Sequence, residues 1–143
     1  MKQGIAFRII VLTCWILGIL APLYTFSRVY PSSRTAFDRV FQTQSSHVLM
    51  HTFLYAVLAY LVASVFFRSV SSAKQLFIFV VITAALVAVL QEVIQMKSED
   101  IGLGFDEIFD FFVDLSGALI GTGLYFKFHR DRGILLVDEK EAR

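Results

Sequence analysis

The chain has 143 residues, of which 57% are hydrophobic, 15% aromatic and only 17% charged, with a mean hydropathy of +0.68. A soluble domain carries about 25% charged and 45–50% apolar residues, so a disordered chain and an ordinary water-soluble domain are both excluded. The net charge of +1 shows no basic excess of the kind a nucleic-acid binder carries, and the single Cys14 excludes an internal disulfide.

The length allows one domain, and four segments within it reach the roughly 20 apolar residues that a membrane-crossing helix needs. The first runs over about 5–26, with Arg8 near its start and Pro22 and Tyr24 at its far end, where a kink or an interfacial anchor is tolerated. Lys2 and Arg8 ahead of an apolar run also suit a secretory signal. No small-x-small cleavage site closes that run, so it reads as a retained membrane helix. The second segment covers about 48–67 and is closed by Arg68. The third covers about 76–96 and turns polar at Gln91, Glu92 and Gln95. The fourth covers about 108–128, with Asp110 and Asp114 in its first turns. Residues 129–143 form a polar tail. The expected fold is therefore all-α, an integral membrane four-helix bundle in one domain spanning 1–143.

Basic residues in short flanking loops set the orientation of such a bundle. Lys2, Arg8, Arg68, Lys74, Lys127, Arg130, Arg132, Lys140 and Arg143 fall on the side that holds both termini, against Arg28, Arg34, Arg39 and Lys97 on the other. The asymmetry predicts both termini in the cytoplasm. It also places the start of the second helix, the end of the third and the start of the fourth at the outer surface. His51 and Tyr55, then Gln91, Glu92 and Gln95, then Asp110 and Asp114 thus arrive at one depth from three helices.

Spacing within each helix supports that convergence. His47, His51 and Tyr55 step by four, as do Gln91 and Gln95, and Asp106, Asp110 and Asp114, so each set shares one helical face. Charged groups in a span are costly and face a bundle interior or a water-filled cavity. His51, Glu92 and Asp110 are the candidate catalytic residues, as general base and acid. Tyr55, Gln91, Gln95 and Asp114 complete a polar pocket. Deeper in the fourth helix, Gly117 and Gly121 form a GxxxG pattern that permits close helix approach, either within the chain or between two copies in a homo-oligomer. No Gly-x-Ser-x-Gly elbow is present, and neither is an HExxH or paired-Cys spacing. His51 with carboxylates, and His47 as an added ligand, is a set that zinc accepts, but no metal or other cofactor is assigned.

These residues together resemble the VanZ-like family of small bacterial membrane proteins. The family pattern has a His and a Tyr four apart in the second helix, matched by His51 and Tyr55. Its Glu-x-x-Gln at the end of the third is matched by Glu92 to Gln95. Its Asp-x-x-x-Asn-x-x-Gly-x-x-x-Gly in the fourth is matched by Asp110, Asp114, Gly117 and Gly121. The resemblance covers roughly residues 47–127. The chain departs from it at Asp114, where the family has Asn, and at His47-Val48, where an Asp-Lys pair is usual. An Arg usual between the third and fourth helices is missing from its place.

The resemblance implies a multi-pass protein of the bacterial cytoplasmic membrane, part of the cell envelope and linked to glycopeptide resistance, teicoplanin above all. The expected partners are membrane lipids and a lipid-linked or glycan envelope precursor bound or modified at the outer-face pocket, with no nucleic acid. The alternative is a non-enzymatic membrane adaptor whose polar residues are structural. An ion pathway is less favoured, because the inner halves of the spans offer mainly Ser64, Thr83 and Thr122.

Overall fold

The computed structural model describes residues 2–21, 43–100 and 102–129, and these are helical almost throughout. Four helices follow one another: α1 Lys2–Leu20, α2 Gln44–Phe66, α3 Ala73–Glu99 and α4 Phe105–His129. The all-α expectation is met, while each boundary moves for a local reason. α1 closes at Leu20, two residues before Pro22, whose ring disfavours helical backbone at the residue preceding it. Residues 22–26, expected in the same helix, lie outside the described residues, as do most of the first connection and the tail beyond His129.

α2 begins at Gln44, four residues earlier than hydropathy alone suggests. Thr43 takes an extended backbone and its hydroxyl accepts the Ser46 N–H at 3.2 Å, a side-chain cap that satisfies one of the first free amides. The helix closes in a 3₁₀ turn over Phe67–Ser69. α3 is capped the same way, the Ser72 hydroxyl accepting the Gln75 N–H at 3.2 Å. It ends at Asp100, whose left-handed backbone (φ 55°) turns its N–H back to the Met96 carbonyl. At the start of α4 the Glu107 carboxylate accepts the Gly104 N–H at 2.7 Å.

Three of these helices, α2 with its 3₁₀ turn, α3 and α4, are long and apolar enough to cross a membrane; the apolar stretch of α1, Gly4–Leu20, is shorter. Large apolar side chains such as Phe53, Leu86, Phe112 and Ile120 stand exposed on their outer faces. An apolar exterior of that extent belongs against lipid. These are the features of a multi-pass membrane protein.

α2 touches each of the other helices. The Arg8 guanidinium donates to the Ser64 carbonyl at 3.1 Å and the Trp15 indole N–H to the Leu54 carbonyl at 3.0 Å, so α1 runs antiparallel to α2. Tyr55 against Gln91 and Phe66 against Phe79 make α3 antiparallel as well. α4, in contrast, runs parallel to α2 in a register that advances four residues at a time on both helices. His47 meets Asp110, His51 meets Asp114, and further along Tyr60 meets Tyr125 with ring centroids 5.6 Å apart.

Between those pairs the helices are in backbone contact. A Cβ on Gly117 would strike the Thr52 carbonyl and stand 2.9 Å from the Thr52 Cα; one on Gly121 would strike the Ala56 carbonyl and stand 2.7 Å from the Ala56 Cα. Gly117 and Gly121 are thus filled within the chain by α2. Substituting Gly121 with Val forces the two helices apart and is expected to cost about 1–3 kcal/mol. Thermal unfolding in detergent should show a clear drop in midpoint for Gly121→Val, and none for Gly123→Ala, where nothing lies within 4 Å.

Candidate functional site

The starts of α2 and α4 and the end of α3 lie at the same end of the molecule, and the ionisable residues gather there. At 1.5 Å rise per residue, His51, Glu92 and Asp110 each sit about 8–11 Å in from the nearest end of their helix, and Asp114 one turn deeper. Helical phase then aims them at one another, because the four-residue steps of α2 and α4 keep each row on a single face.

Two histidine–aspartate pairs bridge α2 and α4. The His47 Nε2 lies 2.9 Å from Asp110 Oδ2 and the His51 Nδ1 lies 2.9 Å from Asp114 Oδ1. The two imidazoles stack, with centroids 4.4 Å apart and planes 22° from parallel. Side-chain exposure falls along the row, from 35% at His47 to 12% at Asp110, 8% at His51 and none at Asp114. The cluster therefore opens at the end of the helices and closes inward. When His51 donates its Nδ1–H to Asp114, its Nε2 is left as an acceptor, the arrangement by which a carboxylate orients a histidine base.

α3 supplies the third wall. Tyr55, fully buried, donates its hydroxyl proton to Gln91 Oε1 at 2.9 Å, closing the polar region on its inner side. Glu92 is 6% exposed and near enough to His51, Asp110 and Asp114 to interact with them electrostatically. Its Oε1, like Oδ2 of Asp114, is buried without a hydrogen-bond partner among the described residues. Gln95 lies one turn beyond Gln91 and is half-buried, and no hydrogen bond of its side chain ties it to the cluster among the described residues.

Beyond Tyr55 the polar row ends. The hydroxyls of Ser64, Thr83 and Thr122 each donate to a carbonyl of their own helix, at Leu61, Phe79 and Ala118. Leu58, Ala59, Val62 and Ala118 fill the interior at that depth. No polar route continues through the molecule among the described residues.

The structure brings together His51, Glu92, Asp110 and Asp114, places Tyr55 and Gln91 at the floor, and adds His47, which the sequence places on the same face and offers only as an added metal ligand. Its signal is the four-residue row it shares with His51 and Tyr55, and the Thr43 cap sets the helix start ahead of it. The ligand atoms of His47, His51 and Asp110 lie within 4.8 Å of one another, so among the described residues these three could share a metal ion.

Removing one partner of a buried pair and stranding a carboxylate costs about 3–5 kcal/mol, far more than replacing both members with apolar residues of similar volume. His51→Leu should therefore destabilise the protein strongly by stranding Asp114. The double variant His51→Leu/Asp114→Leu should recover most of the loss in a thermal-unfolding cycle.

Compared with protein-family models, curated protein sequences and solved structures, the chain matches none.

Proposed function

We propose that this chain is a VanZ-like integral membrane protein of the bacterial cell envelope, a four-helix bundle of the cytoplasmic membrane with both termini inside. On this reading it binds or modifies a lipid-linked or glycan envelope precursor at the His–carboxylate cluster, which opens to the outer face. The observation that carries the reading is the meeting of His47, His51, Glu92, Asp110 and Asp114 at one end of three helices. In so apolar a chain each of these groups is expensive to place, and all of them are placed together.

The geometry suits proton transfer. His51 is held by Asp114 and presents a free acceptor nitrogen, Glu92 offers an unpartnered oxygen beside it, and His47 stands at the open edge. A substrate hydroxyl or a water entering past His47 would meet a base and a carboxyl group within one small volume. No serine or cysteine nucleophile lies in the cluster among the described residues, so a covalent enzyme intermediate on such a residue is not part of the proposal. The link to glycopeptide resistance comes from the VanZ-like resemblance. His47 and Asp114, two positions where the chain departs from that pattern, each complete a histidine–aspartate pair.

The adaptor reading has one observation of its own: both histidines bond to aspartates, as interhelical locks would. Alanine variants at His51, Glu92 and Asp110 separate the two. If the cluster handles a ligand, variants that still insert at normal levels change envelope integrity and teicoplanin susceptibility. If the residues are locks, function falls only in step with protein level and thermal midpoint. Wild-type behaviour from all three variants at normal levels would remove the site altogether.

Orientation has its own test. In a Cys14→Ala background, Ser98→Cys at the exposed end of α3 should react with a membrane-impermeant maleimide in intact cells. Ser71→Cys, in the exposed turn before α3, should react only after permeabilisation. The reverse pattern inverts the topology and closes the cluster to the outer face.

A further inference from the structure

His47 and His51 are separated by one helical turn on α2, the spacing at which two histidines on one face can share a metal ion. Their rings stack, and their nitrogens lie within 4.8 Å of each other and of an Asp110 carboxylate oxygen on α4. The 2.9 Å between His47 Nε2 and Asp110 Oδ2 is close to the separation of about 3.3 Å between two neighbouring ligands held 2.0–2.1 Å from a tetrahedral ion. Small side-chain rotations would close the set.

A second observation is independent of that spacing. If the histidine–aspartate pairs were simple locks, the buried acceptors around them would be satisfied. Glu92 Oε1 and Asp114 Oδ2 are not, although Glu92 is 94% and Asp114 fully buried. No lysine or arginine forms an ion pair with Glu92, Asp110 or Asp114 among the described residues. Three carboxyl groups and two imidazoles in an apolar surround, with two orphaned oxygens, are short of positive charge. Buried carboxylate oxygens without a donor are costly, and a bound cation would satisfy them.

We propose that His47, His51 and Asp110 form a binding site for a divalent transition-metal ion, with Glu92 facing the open side of the ion and Asp114 orienting His51 from behind. The donor set, two imidazoles and a carboxylate, selects zinc and its first-row neighbours over magnesium and calcium, which take oxygen ligands. Asp114 has the part that a carboxylate behind a metal-bound histidine plays. It accepts the Nδ1 proton and leaves Nε2 for the metal. On binding, the ion takes the place of the hydrogen between His47 Nε2 and Asp110, and His47 keeps its one ring proton on Nδ1. The decreasing exposure from His47 inward gives the ion an entry path from the open end. The proposal rests on the same cluster as the reading above, but not on its substrate.

The test uses the full-length chain in detergent, purified without a polyhistidine tag and stripped with a chelator. Zinc is then titrated against a chromophoric competitor. About one zinc per chain should bind, and the thermal midpoint should rise by several degrees at a hundred-fold excess over Kd. His47→Gln and Asp110→Asn should each weaken binding at least ten-fold, while His129→Gln, at the far end of α4, should leave it unchanged. His47 is half-buried at the open edge, so its variant keeps the fold, and circular dichroism of each variant confirms that. Magnesium in place of zinc should give no midpoint shift. Less than about 0.1 zinc per chain, or binding unchanged in both His47→Gln and Asp110→Asn, overturns the site. Zinc binding by the wild-type chain, with wild-type envelope behaviour of the His51, Glu92 and Asp110 alanine variants, would leave the metal standing and remove the precursor reading. Envelope defects in a chain that binds no zinc would do the opposite.

Discussion

The contact between α2 and α4 at Gly117 and Gly121 fixes the rest of the structure. Lipid gives two apolar helices no hydrophobic reason to associate, so packing and interhelical hydrogen bonds must hold them. Two glycines on one face let α4 lie directly on the Thr52 and Ala56 carbonyls, closer than any side chain would allow. That contact sets both the separation and the register of a parallel helix pair. From it follow His47 opposite Asp110, His51 opposite Asp114 and Tyr60 opposite Tyr125, the α4 member of each lying about one or two turns from a glycine. A shift of one residue would rotate every one of these partners by about 100° away from its mate. The polar pairs and the glycine seam therefore stabilise one another. Hydrogen bonds across a loose interface would be weak, and a seam without the pairs would leave four ionisable groups without partners in an apolar surround.

Polarity is then divided along the helix axis instead of being spread around it. One half of the molecule carries both histidine–aspartate pairs, Glu92 and the Tyr55–Gln91 bond. In the other half, Ser64, Thr83 and Thr122 turn their hydroxyls back on their own helices, and aliphatic side chains fill the centre. A lock needed only for stability could sit at any depth, and would be cheapest at a helix end in contact with water. Here the deepest pair, His51 and Asp114, is nearly dry, and one oxygen of Asp114 has no partner. Burial with incomplete satisfaction is the costly arrangement, and it is the one a ligand or an ion would relieve.

Much of this was legible beforehand, and the remainder was not for definable reasons. Hydropathy located the helices because a span needs a continuous apolar run. The four-residue steps of His47, His51 and Tyr55 and of Asp106, Asp110 and Asp114 gave the faces, because helical periodicity is a property of each segment alone. Boundaries were misplaced where capping decides them: Thr43 and Ser72 start helices several residues before hydropathy rises. The Thr43 cap puts His47 inside the helix, on the face that spacing alone already gives it with His51. Which carboxylate pairs with which histidine was not readable, since it depends on the offset between α2 and α4, and that offset comes from where the glycines land on the facing backbone. Gly117 and Gly121 announced a close approach without naming Thr52 and Ala56 as its other side.

The floor of the cluster decides how it exchanges with its surroundings. Tyr55 is fully buried and bonded to Gln91, and immediately beyond it Leu58 and Ala59 begin the apolar interior. Among the described residues, the cluster is open only on the His47 side, where exposure is greatest. A one-sided site of this kind suits binding or chemistry on something presented at the membrane surface, and it is poorly suited to passage across the membrane. It also makes His47 more than a pair for Asp110. As the most exposed member of the two pairs, it stands at the open edge of the cluster. Its ring stacks on that of His51, one helical turn further in, where the pair with Asp114 is nearly sealed from water.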